Sequence, residues 1–431
     1  MEGAILAPGQ RRSTWAAAFM VSCLALACGI GDDEVPPAGR EALQSVSLVG
    51  EGIDDAEAER LMALGYVETV PEGEGDEPDG ARTLDASRVQ PGLDFYVNAH
   101  LCSADLIDAE GELLRSWRHE PCLKWGNAVL TQDGEVVVIH RRPGDTAEES
   151  FRARRVLKLG WDGEQLWSAD VPAHHDLDLL PDGRVAVLTY RHRLIPRIDP
   201  TIPVRDHYVA MLSAEGELLE EVSISEILEA SPDVFRFRSR RPREHEGSLE
   251  IDSIHSNSIE WMRSDSLARQ NPLYATTNFL LCSRNQNALI IIDWSSKRAV
   301  WSWGQGTLSG PHDATVLPSG NILVFDNGLN RRYSRVLEVD PRTDEVVWSY
   351  SATEPRSFFS SHRGAAQRLV NGNTLITDSA GGRAFEVTAE GQVVWSYLNP
   401  NRSEAGDRVV IVRMRRVRQL DAEAPEFAWS D

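Results

Sequence analysis

A pattern that recurs every 47–50 residues from residue 92 onward constrains the fold of this 431-residue chain more than any other feature. Each unit has a glycine-containing turn between two β-prone apolar segments, followed by a strand that ends in tryptophan. The turns are Gln132–Gly134, Pro181–Gly183, Pro318–Gly320 and Val370–Gly372, and the tryptophans are Trp117, Trp167, Trp301, Trp348 and Trp395. Four short strands in about 40–50 residues are typical of one blade of a β-propeller.

The number of units predicts six blades. The long interval between Trp167 and Trp301 contains Ala214–Val222, which has the same pattern without its tryptophan, so this interval holds two units. The first unit, Leu93–Trp117, has material for three strands only, and the alternating segment Arg408–Arg418 can supply the fourth. Because this pairing would close the ring and remove exposed strand edges, we predict an all-β, six-bladed β-propeller over residues 92–420 and a short tail over 421–431.

Residues 1–27 resemble an export signal. Arg11 and Arg12 precede the apolar run Trp15–Ala27, which is long enough for a signal peptide but too short for a stable membrane span. The run ends in Leu24–Ala27 before Cys28, which resembles the lipobox of bacterial lipoproteins. We therefore expect an exported protein of the periplasm or outer membrane, attached to the membrane only through a lipid on Cys28. The alternatives are a second lipidation site at Cys23, simple cleavage of the A-x-A type and, less favoured, a twin-arginine route.

Charge and composition describe the next segment and exclude one class of partner. Residues 29–91 hold 16 acidic and four basic residues, a net charge of −12, and we predict that residues 28–91 form a disordered acidic tether with one short helix from about Asp54 to Tyr66. The whole chain has a net charge of −22 and a pI near 5.0. Binding to nucleic acid is therefore not expected, because such binding depends on clustered Lys and Arg.

The cysteines suggest a disulfide rather than a metal site. Cys102 and Cys122 flank the last strands of the first unit, and in an oxidising compartment we expect them to be joined. Cys282 lies alone in an apolar strand and is predicted to be a buried small side chain. The spacing of Cys, His and Glu suggests no zinc site, and we predict no metal and no cofactor.

Three histidines occupy corresponding positions at the starts of the predicted inner strands. They are His175, His255 and His312, and inner strands line the central channel of a propeller. A second set of positions, at the end of the following strand, holds Arg141, Arg191, Arg284, Asn327 and Asp378. Three imidazoles with the Arg284 guanidinium would make an anion site, since Arg binds tetrahedral oxyanions with forked hydrogen bonds. The alternative is a structural ladder in which Asp176 and Asp313 orient the rings; His174, His140 and His192 are predicted to be structural.

Four longer segments resemble the bacterial arylsulfotransferase family. They are Gly310–Gly328 (GPHDATVLPSGNILVFDNG), Ser334–Val339, Ala366–Ile376 and Phe385–Trp395. The resemblance covers about residues 92–418. It implies a six-bladed propeller enzyme that moves a sulfuryl group from a phenolic sulfate to a phenol without a nucleotide sulfate donor.

The resemblance also implies a role for each candidate residue. His312 matches the nucleophile that becomes sulfated, and His255 with Asn257, and Arg284 within Ser283–Gln286, match the residues that hold the sulfate; His175 matches the remaining histidine. The segment Arg236–Gly247 is a charged insertion with respect to this pattern. The expected partners are small aryl sulfates and phenols. An alternative is a lipid-anchored, non-catalytic propeller that binds an anionic ligand or a protein, and a quinoprotein oxidoreductase is less favoured.

Overall fold

Six antiparallel sheets form the blades of a propeller in the computed structural model, as predicted. The structure describes residues 69–70, 78–144, 153–245, 248–404, 406–421 and 426–429. Within these ranges no helix is long and apolar enough to cross a membrane. The predicted signal peptide, Cys28, the predicted short helix and most of the acidic tether lie outside the described residues.

Each of the first five blades has four consecutive strands, of which the first lies innermost and contacts the first strands of the neighbouring blades. From the axis outward the strands are Lys124–Leu130, Val136–Arg141, Arg154–Leu159 and Gln165–Ala169 in blade 1; Ala173–Leu179, Val185–Ile195, Asp199–Leu212 and Leu218–Ser223 in blade 2; Ser256–Trp261, Asn278–Ser283, Ala288–Asp293 and Arg298–Trp303 in blade 3; His312–Val316, Ile322–Asp326, Arg335–Asp340 and Glu345–Tyr350 in blade 4; and Ala365–Arg368, Thr374–Asp378, Arg383–Val387 and Val393–Leu398 in blade 5.

The sixth sheet, here called the closing blade, joins the two ends of the chain. Its strands, from the axis outward, are Ile411–Asp421, Leu93–Asn98, Ser103–Ile107 and Leu113–Arg118. Ile411 pairs with Asn98 and Val417 with Leu93, so the arginine-rich C-terminal segment is the missing strand. Cys102 and Cys122 form the predicted disulfide beside this blade, with their Cα atoms 6.3 Å apart. Cys282 is buried in blade 3, as expected.

A few short elements complete the described fold. Two helices, Ile224–Glu229 and Asp265–Gln270, and two 3₁₀ turns, Pro272–Tyr274 and Pro355–Ser357, lie between or beside blades. The additional strands are Thr69–Val70, which pairs with Arg408–Val409; the hairpin Arg243–His245 and Ser248–Glu250; and Glu426–Trp429, which pairs with Ile411–Asp421.

Two strands, Thr69–Val70 and Gly80–Thr83, lie in the segment predicted to be a disordered tether. Gly80–Thr83 pairs with Val393–Leu398 and becomes a fifth, outermost strand of blade 5. The net charge of the segment suggested no ordered element other than one short helix, but backbone pairing with an open sheet edge needs little apolar burial. The acidic composition therefore gave no indication of Gly80–Thr83, a strand that is stabilised by pairing with the propeller.

The repeated tryptophans connect neighbouring blades. The indole N–H of Trp348 donates to the carbonyl oxygen of Ala389 in blade 5 at 2.9 Å, and that of Trp395 donates to the carbonyl oxygen of Ala109 in the closing blade at 3.1 Å. Both acceptors lie in the turn between the third and fourth strands of the next blade. These two tryptophans therefore each form a contact between blades.

Side chains of one blade also satisfy the inner strand of the next. The Asp176 carboxylate accepts from the backbone N–H of Ile259 at 3.0 Å, and the Asp313 carboxylate accepts from that of Ala366 at 2.8 Å. Arg413, from the closing blade, lies 3.1 Å from both carboxylates. Asp176 and Asp313 thus stabilise the centre of the ring, and the alternative in which they orient the histidine rings is wrong, because their carboxylates point along the channel to the next strand.

We expect Trp395→Phe to weaken the closure of the ring. Trp395 is fully buried, and phenylalanine keeps most of its apolar volume but loses the hydrogen bond to Ala109. The free energy of unfolding, measured with urea, should fall by about 1–2 kcal/mol, whereas Trp395→Ala should cost about 3–5 kcal/mol because it also leaves a cavity. Equal losses in the two variants would contradict a role for the indole N–H.

Candidate functional site

Blades 2, 3 and 4 bring the three predicted histidines together with Arg284, and we call these four residues the histidine centre. The ring centroids of His175 and His255 are 4.8 Å apart. Arg284 is close enough for its charge to act on both His255 and His312, and His312 is close enough to His175 that its protonation would lower the pKa of His175. The stem of Arg284 packs close to Gly310, two residues before His312. The four predicted residues therefore form one centre.

His175 lies within a bulge of its inner strand, and His255 immediately precedes a bulged inner strand. The strand register shifts after Ala173 in blade 2 and after Ser256 in blade 3. His175 and His255 have φ angles of 59° and 47°, in the left-handed region that residues other than glycine seldom adopt. This conformation costs on the order of 1–3 kcal/mol per residue, and such strain clusters at functional sites.

Asn327 fixes the protonation state of His312. The amide nitrogen of Asn327 donates to the carbonyl oxygens of Ser360 at 2.7 Å and Arg363 at 2.6 Å, so its oxygen must face the imidazole. That oxygen lies 2.7 Å from Nδ1 of His312, and the carbonyl oxygen of Gly310 is 3.1 Å from the same nitrogen. Because both neighbours are acceptors, Nδ1 carries the hydrogen and Nε2 has a free lone pair.

Burial keeps His312 neutral. Desolvation lowers the pKa of His312 to about 3, and the positive charge of Arg284 acts in the same direction, against the hydrogen bond that Nδ1 donates to Asn327. Desolvation also lowers the pKa of Arg284 to about 10, which leaves its guanidinium protonated at neutral pH. A neutral imidazole with a free lone pair thus lies near a fixed positive charge, which suits attack on an anionic, electrophilic group.

Asp252 holds His255 and is the main residue that the sequence did not identify. Its carboxylate lies 2.6 Å from Nδ1 of His255, 3.2 Å from Nε2 of His207 and 2.7 Å from the guanidinium of Arg243. Desolvation alone would raise the pKa of Asp252. These contacts, of which the one with His255 has the largest effect, outweigh it and keep the pKa well below its usual value. Burial nevertheless lowers the pKa of His255 to about 4, so its ring is also neutral in the empty site.

His175 completes the centre from blade 2. Its side chain remains exposed to solvent, but protein atoms surround it closely enough that desolvation, followed by the charge of its neighbour His174, lowers its pKa well below the usual value. His174 has a structural contact, with Nε2 3.2 Å from the carbonyl oxygen of Thr189. His192 contacts Glu250 at 2.7 Å.

The predicted second set of positions divides into two groups. Arg284 and Asn327 reach the histidine centre, whereas Arg191 pairs with Glu221 and Asp378 pairs with Arg383. Arg141 ends its strand in blade 1, outside the three blades that form the centre. The sequence did not identify three residues around His255. Asp252 precedes a strand, His207 lies in the middle of one, and Arg243 belongs to the insertion. None of them occupies a position that repeats from blade to blade.

The residues matched with Arg284 organise the backbone around it. The Asn257 amide donates to the carbonyl oxygen of Pro311 at 2.8 Å and so holds the segment before His312. The Asn285 amide donates to the backbone carbonyl oxygen of Asp252 at 2.7 Å. Among the described residues, no group of three or more His, Cys, Asp or Glu side chains is arranged to hold a metal ion.

The low pKa of His312 predicts how stability depends on pH. Between about pH 3 and 6.5 the unfolded chain binds more protons than the folded protein, so the free energy of unfolding falls as the pH falls through this range. His312→Gln removes this contribution and should reduce the slope by up to about 1.4 kcal/mol per pH unit between about pH 6 and 4. Urea unfolding at several pH values measures both slopes, and equal slopes would show that burial does not hold this imidazole neutral.

Comparisons with known proteins bear on the fold and the family. No curated protein matches the chain. Among solved structures, a protein of unknown function from Bacteroides caccae is 14% identical with a TM-score of 0.49 and covers 75% of this chain and 98% of that one. Selenomethionine-substituted virginiamycin B lyase from Staphylococcus aureus is 12% identical, with a TM-score of 0.42 and coverages of 75% and 90%. AztD from Citrobacter koseri is 11% identical, with a TM-score of 0.38 and coverages of 75% and 98%.

The sequence itself carries the family assignment. The model of the arylsulfotransferase (ASST) family matches residues 129–400, which includes all four residues of the histidine centre and more than half of the chain. This protein therefore belongs to the arylsulfotransferase family.

Proposed function

We propose that this protein transfers a sulfuryl group from a phenolic sulfate ester to an acceptor phenol through a sulfohistidine at His312, without a nucleotide sulfate donor. The observation that carries the proposal is the tautomer of His312, whose Nδ1–H is directed to Asn327 and Gly310 so that Nε2 is free to attack. Membership of the arylsulfotransferase family supports the reaction class.

The first half of the reaction forms the covalent intermediate. Nε2 of His312 attacks sulfur in line, an N–S bond forms, and the S–O bond to the ring breaks so that the electron pair leaves with the aryl oxide. Sulfuryl transfer, like phosphoryl transfer, spreads negative charge over the equatorial oxygens. The Arg284 guanidinium is the fixed positive charge that stabilises these oxygens, with His175 and His255 as further donors.

His255 is the proposed acid and base. A bound sulfate group brings negative charge, which favours the protonated imidazole, and the Asp252 carboxylate beside Nδ1 would stabilise it. The protonated ring gives its proton to the departing aryl oxide. The neutral ring then accepts the proton of the second phenol as that oxygen attacks sulfur and releases His312, so protons and charge balance over the cycle.

The covalent step predicts an adduct that mass spectrometry of the intact protein can detect. Purified protein incubated with p-nitrophenyl sulfate and no acceptor should release nitrophenolate and gain the mass of one sulfuryl group, located on His312 by peptide mapping. His312→Ala should form no adduct, because it removes the imidazole that is proposed to attack sulfur. His100→Ala, which changes an exposed histidine of the closing blade, is the control. An adduct in His312→Ala would refute the assignment, and a protein that binds aryl sulfates without releasing nitrophenolate would be a binding propeller.

The role of Arg284 predicts a specific loss of rate. Arg284→Gln removes the positive charge that meets the developing oxyanion, and the barrier to transfer should rise by about 2–4 kcal/mol, as for the loss of one oxyanion donor. Arg191→Gln is a matched control, because Arg191 has the same position in blade 2 but pairs with Glu221. Single-turnover nitrophenolate release compares the two variants, and equal rates would remove Arg284 from the site.

A further inference from the structure

A positively charged cleft adjoins the histidine centre and belongs to no assigned function. It has a volume of about 490 Å³ and is lined by Ser239, Arg240, Arg241, Arg243, Asp252 and Asn285. Half of these residues are arginines of the charged insertion that interrupts the repeat pattern. The insertion therefore builds one wall of a cleft beside the site.

The blade 3 framework anchors this insertion. The side-chain amide of Gln286 accepts from the backbone N–H of Arg238 at 3.0 Å and donates to the carbonyl oxygen of Arg238 at 2.8 Å. The backbone N–H of Arg240 donates to the Ser253 hydroxyl at 3.2 Å, and its Nε donates to the carbonyl oxygen of Asn285 at 2.8 Å. Arg240 and the backbone of Arg238 are thus held by residues close in sequence to Arg284 and His255, so this wall of the cleft is preorganised.

Positive charge exceeds negative charge in the cleft. Arg243 contacts Glu250 at 3.2 Å and shares Asp252 with His255. The hydrogen bonds of the Arg240 guanidinium go to a carbonyl oxygen, which does not neutralise its charge, and burial lowers its pKa. Arg241 is exposed at the rim. Three guanidinium groups therefore face one carboxylate, Asp252, among the lining residues, an excess that suits an anion.

The cleft and the histidine centre share residues. Asp252 lines the cleft and also contacts Nδ1 of His255, and Asn285 lines it while its side chain accepts from Arg284 at 3.1 Å. The charges of Arg240 and Arg243 reach far enough to lower the pKa of Arg284. A substrate that reacts at His312 can therefore extend a second group into the cleft.

We propose that the cleft binds an anionic substituent of the substrate, so that this enzyme prefers aryl substrates that carry a carboxylate or similar anion besides the reacting phenolic oxygen. Guanidinium groups bind carboxylates in forked, charge-assisted pairs, which provides both affinity and orientation. The inference rests on the proposed sulfuryl transfer, for which it names the substrate class.

A pair of isosteric acceptors tests the proposal. With p-nitrophenyl sulfate as donor, 4-hydroxyphenylacetate should have a KM at least about tenfold lower than that of neutral 4-hydroxyphenylacetamide, the effect expected from one charge-assisted pair. The difference should shrink as the salt concentration rises. The same comparison between the sulfate esters of these two phenols shows whether the donor uses the cleft as well.

Arginine variants locate the effect. Arg241→Ala leaves the anchoring hydrogen bonds intact, and it should raise the KM of the carboxylate without changing that of the amide. Arg240→Ala, which also removes a hydrogen bond to Asn285, should raise the KM of the carboxylate by a larger factor than that of the amide. Arg184→Ala is the control, because Arg184 is half-buried beside a turn of blade 2, away from the cleft lining, and pairs with Asp182. Equal KM values for the two acceptors in the unmodified enzyme, or a preference that survives both cleft variants, would overturn the proposal.

A binding measurement separates this inference from the proposed function. Calorimetric titration of His312→Gln with 4-hydroxyphenylacetate and its amide needs no turnover, and it should show tighter binding of the carboxylate that is lost when Arg241→Ala is added. If the unmodified protein transfers no sulfuryl group from any donor, the proposed function is refuted. This titration would still show whether the cleft binds an anion. Equal binding of the two compounds would refute the cleft as an anion site.

Discussion

The open edge of the innermost strands is the constraint on which the rest of the structure depends. In a ring of sheets the first strand of each blade has one edge toward the axis, and the backbone N–H groups on that edge need acceptors. Side chains of the preceding blade supply them: Asp176 for blade 3, and Asp313 for blade 5. Arg413, carried in by the closing blade, neutralises both carboxylates. The strand that closes the ring therefore also carries the arginine that neutralises these buried carboxylates.

The same geometry creates the site. The inner strands all begin at the same end of the channel. Residues that are far apart in sequence but lie at the starts of these strands, such as His175 and His312, are therefore neighbours there. His175 lies within the bulge of its strand and His255 immediately before the bulge of the next inner strand, and both have backbones in the left-handed region. Burial and fixed positive charge favour neutral imidazoles, and the nucleophile of the proposed reaction is then ready without a separate base.

The repeat pattern was sufficient to predict six blades and the pairing of the arginine-rich C-terminal segment with the first unit, because both follow from strand period and chain order. The disulfide between Cys102 and Cys122 was predicted instead from their places beside the last strands of that unit and from an oxidising compartment. The repeat pattern also selected the four residues of the histidine centre, since equivalent positions in successive blades converge on one axis. The aspartates beside two of these histidines were harder to interpret. Adjacency in sequence suggested that they orient the rings, but alternate side chains of a strand point in opposite directions, and Asp176 and Asp313 serve the neighbouring strand.

The sequence by itself determined the class of fold, the closure of the ring and which histidines share the site, because these depend on periodicity. Only the tertiary structure decided which groups control the site. Asp252 reaches His255 and His207, Asn327 sets the tautomer of His312, and the insertion turns its arginines toward Arg284, because loops from different blades approach one another in space. Such contacts have no period and no fixed separation along the chain, and a pattern in one sequence cannot encode their distances.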